Sequence, residues 1–177
     1  MEKALKSSST TYGIYLGLIL AALTIIGYSV SLDLFTKWWF GIIIILLIIV
    51  IGIMSAMKAR KLLEGFISFK NAFTAYFIAV LIGIVISSIV SILIFNVVDP
   101  DAANILQEKI IETQVAMLEN FCAPQEAIDK TVSDIQAGGN MYSIGNILKS
   151  IAFQLVGYSI IGLIVAAVVK RVDPDAV

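Results

Sequence analysis

From Ala72 to Val98 the chain carries no charged residue in 27 positions. As a helix that run extends roughly 40 Å at about 1.5 Å per residue, whereas a bilayer core needs only about 20 residues. It therefore predicts a membrane-spanning helix that tilts or projects beyond the hydrocarbon. Three more long apolar runs accompany it, and the predicted spans cover residues 11–32, 38–57, 70–98 and 147–169. The second holds the β-branched run IIIILLIIVIGIM, which in a soluble protein would suit a buried strand. Its length and its basic exit at Lys58 favour a helix. The expected fold class is an all-α membrane protein: one four-span domain with an extracytoplasmic helical hairpin, residues 99–146, between the third and fourth spans.

Composition agrees. Hydrophobic residues make up 59% of the 177 and charged residues 14%, far from the balance of a soluble domain. The net charge of −1 offers no basic face for a nucleic acid. Histidine is absent, which removes the common serine triad and histidine-ligated zinc or haem. The one cysteine, Cys122, makes no internal disulfide; a thiol in a turn is the expectation, with pairing across a dimer as the alternative. No cofactor and no metal site is expected. Paired aspartates at Asp99/Asp101 and Asp173/Asp175 supply too few oxygens for calcium.

Between the second and third spans lies a basic elbow of Lys58, Arg60, Lys61 and Lys70, opposed only by Glu64. Gly65 is placed to stop a helix, since glycine takes the left-handed conformation without steric cost. Ser68 is placed to cap the next helix. Phe66, Phe69, Phe73 and Phe77 then follow at helical spacing with Tyr76 beside them, giving an aromatic face. Such a face anchors a helix at the headgroups or packs between helices more often than it binds a ligand.

Residues 1–10 are polar, with Lys3 and Lys6, and the apolar run after them begins at Thr11. A positive start before an apolar core also describes a secretory signal, but this core is too long and lacks a small-residue cleavage site. Gly13, Gly17 and Ala21 fall four apart, a pattern that lets two helix backbones approach closely. Packing within the bundle is expected of them, with dimerisation the alternative. The short Asp33–Lys37 loop forces the second span antiparallel to the first. Phe35, Trp38, Trp39 and Phe40 stand where an aromatic belt belongs.

After the third span, Asp99 suits a helix N-cap and Pro100 the first helical position, where its missing N–H costs nothing. Leu106, Ile110, Val115, Leu118 and Phe121 make an apolar stripe on the helix that follows. Pro124 opens a second helix striped by Ile128, Val132 and Ile135, ended by Gly138-Gly139-Asn140. Two such stripes are expected to bury one another as a hairpin. Residues 99–146 contain eight carboxylates and two lysines. Val98–Ala102 recurs in Val172–Ala176, a match too short to mark a duplication.

Eight Lys or Arg residues fall on the side of the termini and the elbow, against four on the hairpin side. The positive-inside bias puts both termini in the cytoplasm and the hairpin outside. With the elbow, the VVDPD junction, the acidic hairpin and the terminal Lys170-Arg171 in view, the chain resembles a bacterial membrane-protein family known as domain of unknown function 4199, typical of Bacteroidetes. Its members share an "isF-x-x-AF" stretch, here Ile67-Ser68-Phe69-Lys70-Asn71-Ala72-Phe73, and a "DP" after the third helix, here Asp99-Pro100. The resemblance implies an inner-membrane location and four helices. It brings no catalytic or binding residues.

The four uncharged runs contain no Asp, Glu, Lys, Arg or His to serve catalysis, and no proline breaks them. Their polar members are Thr24, Ser87, Ser88, Ser91, Asn96, Gln154 and the tyrosines. Gln154 is the sharpest, because a buried amide must find partners; bonding between helices is expected of it, with solute contact the alternative. A non-enzymatic accessory or scaffold subunit fits best, with a membrane or envelope protein as partner besides the lipid bilayer. A small-solute transporter or channel component acting as a homo-oligomer is the second reading.

Overall fold

The computed structural model describes residues 2–171. Six α-helices follow in order: α1 (Glu2–Val30), α2 (Trp38–Leu62), α3 (Phe69–Leu93), α4 (Pro100–Asn120), α5 (Gln125–Ala137) and α6 (Ile144–Val169). A 3-10 turn, Leu32–Thr36, joins α1 to α2, and a π turn, Ile94–Val98, ends the third span. The fold is all-α. Four of its helices are long and apolar enough to cross a membrane: Lys3–Val30, Trp38–Leu62, Phe69–Val98 and Ile144–Val169. Each exceeds the roughly 20 residues a bilayer core needs.

The first span starts earlier than the hydrophobic run suggests. Residues 2–10 are not a polar lead-in but the first turns of α1, with Leu5 and Ser9 buried. Ser9 stays apolar-compatible because its hydroxyl donates back to the Leu5 carbonyl at 2.9 Å. Similarly, α2 runs five residues past Met57, and α6 begins at Ile144 rather than 147. Charged and polar residues at these ends lower the local hydropathy, so a hydropathy window underestimates each helix.

Helix α3 is the centre of the bundle, packing on α1, α2 and α6, while α1 and α6 do not touch among the described residues. Small residues make these contacts possible. A Cβ on Gly83 of α3 would lie 2.5 Å from the Leu16 side chain, so Leu16 of α1 fills that notch. Tyr76 of α3 is fully buried, its ring lodged between Gly52 of α2 and Gly162 of α6. Cβ atoms at those glycines would stand 2.5 and 2.7 Å from the ring. Ser55 of α2 adds a bond across helices, donating to the Ala75 carbonyl at 2.8 Å.

Helix α6 is held mainly at its C-terminal half, where Gly162, Val165, Ala166 and Val169 are buried. Beyond it Ile67 and Arg171 form an isolated antiparallel bridge. Towards its N-terminal half α6 is exposed, with Phe153 at 82% and Val156 at 64%.

Candidate functional site

Two regions gather the residues that chemistry can use: the platform at the hairpin end of the bundle, and a crevice just beneath it.

The platform is built on Asp99 and Pro100. Asp99 Oδ1 accepts from the Ala102 N–H at 3.0 Å, so it caps α4, and Pro100 stands in the first turn. Its second oxygen accepts from Tyr28 Oη of α1, also at 3.0 Å. One carboxylate thus starts α4 and ties it to the first span. Ala102, Ala103 and Leu106 of α4 are buried with Ile94 and Phe95, and Tyr28, Phe35 and Tyr142 close round them. Phe95 sits edge-on to Tyr28 and Phe35 and 4.4 Å from the Tyr142 ring. One turn further along α4, Lys109 pairs with Asp33 of the α1–α2 connection. The ammonium and the Ser31 hydroxyl hold the Asp33 carboxyl below its ordinary range, and the carboxylate raises Lys109 in return.

The return loop is fastened as well. Gln107 donates to the Gly139 carbonyl at 3.2 Å and accepts from the Met141 N–H at 3.1 Å. Asn146 donates to the carbonyls of Gly138 and Asn140, each at 2.9 Å. Asn96 reaches from the π turn to the Tyr142 carbonyl at 2.7 Å. Burial pushes the Tyr142 phenol up to about 12. This network was not foreseen; its signal in the sequence is the density of Asn and Gln around the GGN turn.

Beyond this root, α5 packs on α4 alone among the described residues. Ile128 is buried and Val115, Leu118, Val132 and Ile135 are half-buried, so α4 and α5 share their stripes. Phe121, expected in that stripe, is 74% exposed at the tip, because α4 ends beside it.

The crevice lies between α3 and α6, continuing inward between α1 and α2. Its outer cavity, about 240 Å³, is lined by Ser88, Ser91, Tyr142, Ile147, Ser150 and Gln154 among others. An inner one of about 160 Å³ adds Thr24, Ile48, Ile84 and Ser87, and shares Ser88, Ser91 and Gln154. Five of the polar residues singled out in the runs thus converge at one depth. Gln154 is the correction. It is exposed, not buried, and its amide donates to Ser150 of its own helix at 3.0 Å instead of bonding across helices. The outer half of α6 stands off α3, which leaves that amide at the edge of a gap.

The remaining candidates sit elsewhere. Gly13 and Gly17 pack inside the bundle: Cβ atoms there would lie 2.7 Å from Ile82 and 2.6 Å from Ile86 of α3. In the elbow, the Arg60 carbonyl accepts from the N–H groups of Leu63 and Gly65, and Gly65 has φ +93°. Glu64 is left-handed too, at φ 58°. Ser68 Oγ caps α3 by accepting from Asn71 N at 3.2 Å. Phe69 is exposed; its neighbours Phe73 and Phe77 stack at 5.8 Å, and of the aromatic face Tyr76 is fully buried while Phe73 packs partly buried against the core. Lys58 and Lys61 line a groove of about 200 Å³ with Tyr12, Met54 and Met57. Cys122 is an exposed thiol. No group of three or more His, Cys, Asp or Glu is placed to hold a metal ion among the described residues. The Asp173/Asp175 pair and the repeat Val172–Ala176 lie outside the described residues.

A family model matches residues 11–171, all four spans and the hairpin together. The chain belongs to the family described as Protein of unknown function (DUF4199). Its family unit therefore includes platform and crevice alike. No curated protein and no solved structure matches it.

Proposed function

We propose that this protein is a non-enzymatic accessory or scaffold subunit of the bacterial inner membrane, whose hairpin presents a recognition surface to a partner membrane or envelope protein. One observation carries the reading: the root of α4 is clamped to the bundle while the rest of the hairpin is unencumbered. Asp99–Tyr28, Lys109–Asp33 and the cluster around Phe95 fix the root. Residues 112–136 then carry five carboxylates against the single Lys130. A rigid acidic arm steers a basic partner surface by long-range attraction that salt weakens. The positive-inside bias supports an arm outside the cytoplasm with both termini within it.

Replacing residues 112–136 by a flexible linker tests this. The expected variant inserts normally and loses its copurifying proteins; retention of every partner would reduce the hairpin to a passive connection.

The crevice supports the second reading, a small-solute transporter or channel component acting as a homo-oligomer. Solute flux by the purified protein alone in liposomes would favour it over the scaffold.

A further inference from the structure

The crevice combines features that ordinary helix packing does not require. Its outer cavity holds about 240 Å³ and its inner one about 160 Å³, where a single water needs roughly 10–15 Å³ of such space. Gln154 spends one N–H on Ser150. Among the described residues, its carbonyl oxygen and its other N–H meet no protein group, and neither do the hydroxyls of Ser87 and Ser88. Unpaired polar groups at membrane depth are costly, and in most proteins neighbouring helices satisfy them. Here the neighbouring helix stands away. The walls on either side of this polar band are apolar: Leu20, Ile44, Ile48 and Ile84 inward, Ile147 and Ile151 outward. Among the described residues, no carboxylate, ammonium or guanidinium lines either cavity.

These observations select a ligand chemistry. A charged head finds no counter-ion and is excluded by desolvation. A purely apolar molecule leaves the amide and the serines unpaired. The complement is a group rich in hydroxyls or amides, uncharged, attached to or accompanied by apolar surface. We propose that the crevice between α3 and α6 is a binding site for the uncharged, hydroxyl- or amide-bearing head of an amphiphile, with the Gln154 amide and the hydroxyls of Ser88 and Ser150 as its hydrogen-bonding groups. The same head chemistry occurs on a lipid such as a diacylglycerol and on a free polyol such as glycerol. The gap on the outer half of α6 opens the site to the bilayer, and the apolar walls accept a chain, so the lipid-borne form satisfies more of the lining.

The test uses the full-length protein in phosphatidylcholine vesicles containing a photoreactive diacylglycerol. Saturable labelling of peptides from α3 and α6 is expected. Gln154→Leu should lower the labelling at least tenfold. Among the described residues, the only side-chain bond this change removes is the one to Ser150, so the melting temperature should hold. Gln154→Asn, which keeps the amide, should restore part of the labelling. Competition by unlabelled diacylglycerol alone identifies the lipid-borne head; competition by millimolar glycerol as well identifies a free polyol. Labelling that fails to saturate, that Gln154→Leu leaves unchanged, or that a fatty-acid anion displaces better than diacylglycerol overturns the proposal.

Discussion

Ile67 and Arg171 exchange both backbone hydrogen bonds, at 2.9 and 3.0 Å, joining the residue just before the third span to the one just after the fourth. The bridge pins the C-terminal end of α6 to the elbow. Lys170 has φ −54° and ψ 137°, a conformation that a following proline accepts. Arg171→Pro should therefore remove the donor while leaving the conformation of Lys170 acceptable, costing about 1 kcal/mol. Arg171→Ala keeps the N–H and controls for the lost charge. Equal melting temperatures for the two variants in detergent would mean the bridge contributes nothing.

Gly17 should be the least replaceable small residue of α1. A Cβ there would lie 2.6 Å from Ile86, too close for either helix to keep its place. Gly17→Leu overpacks a tight interface and is expected to cost about 1–3 kcal/mol. Gly41 and Gly145 meet nothing within 4 Å. Alanine at Gly41 should be neutral or slightly stabilising, and thermal denaturation in one detergent compares both variants with the parent.

Asp99→Ala removes the cap of α4 and the partner of Tyr28 together. Loss of the cap alone costs about 1 kcal/mol. Limited proteolysis of the hairpin should accelerate while the spans stay inserted. Tyr28→Phe should show a smaller acceleration, because it leaves the cap intact. A parent-like digestion rate in Asp99→Ala would remove that residue from the anchoring role.

The Lys109–Asp33 pair sets an acid limit on the platform. Asp33 has a folded pKa below its ordinary 3.8, chiefly through its bond from Lys109. The stabilisation is present above 3.8 and is lost as pH falls through the lower, folded value. For Lys109 the folded pKa lies above the ordinary 10.5, so its share is complete below 10.5 and is lost only as pH rises past that. Protection of the α4 amides, corrected for intrinsic exchange, should thus be insensitive to this pair from about pH 5 to 9 and fall in stronger acid. Asp33→Asn should exchange faster near neutrality and lose the pair's acid step, leaving only the background of other carboxylates.

Orientation is checked by fusions. A reporter active only in the cytoplasm should work after Lys61 and fail between residues 104 and 136, the outcome expected from the distribution of Lys and Arg. Activity from the hairpin fusion would turn the protein over in the membrane.

By itself the sequence determined the four helices and the local signals at their ends. Uninterrupted apolar runs admit few structures in lipid, and caps such as Ser68 and Asp99 act within a few residues of their own position. The left-handed Gly65 was legible for the same reason, being a property of one backbone unit. Only the tertiary structure decided which helix is central, because hydropathy is nearly uniform round each span and does not say which face meets a neighbour. It decided that Tyr76 fills the space left by Gly52 and Gly162, a match between residues far apart in the chain. It tied Tyr28 to Asp99 and Ile67 to Arg171, pairs with no local signature. It also turned Gln154 from an expected bridge into the edge of a crevice, since the spacing between α3 and α6, and not the identity of the amide, determines whether a partner is within reach.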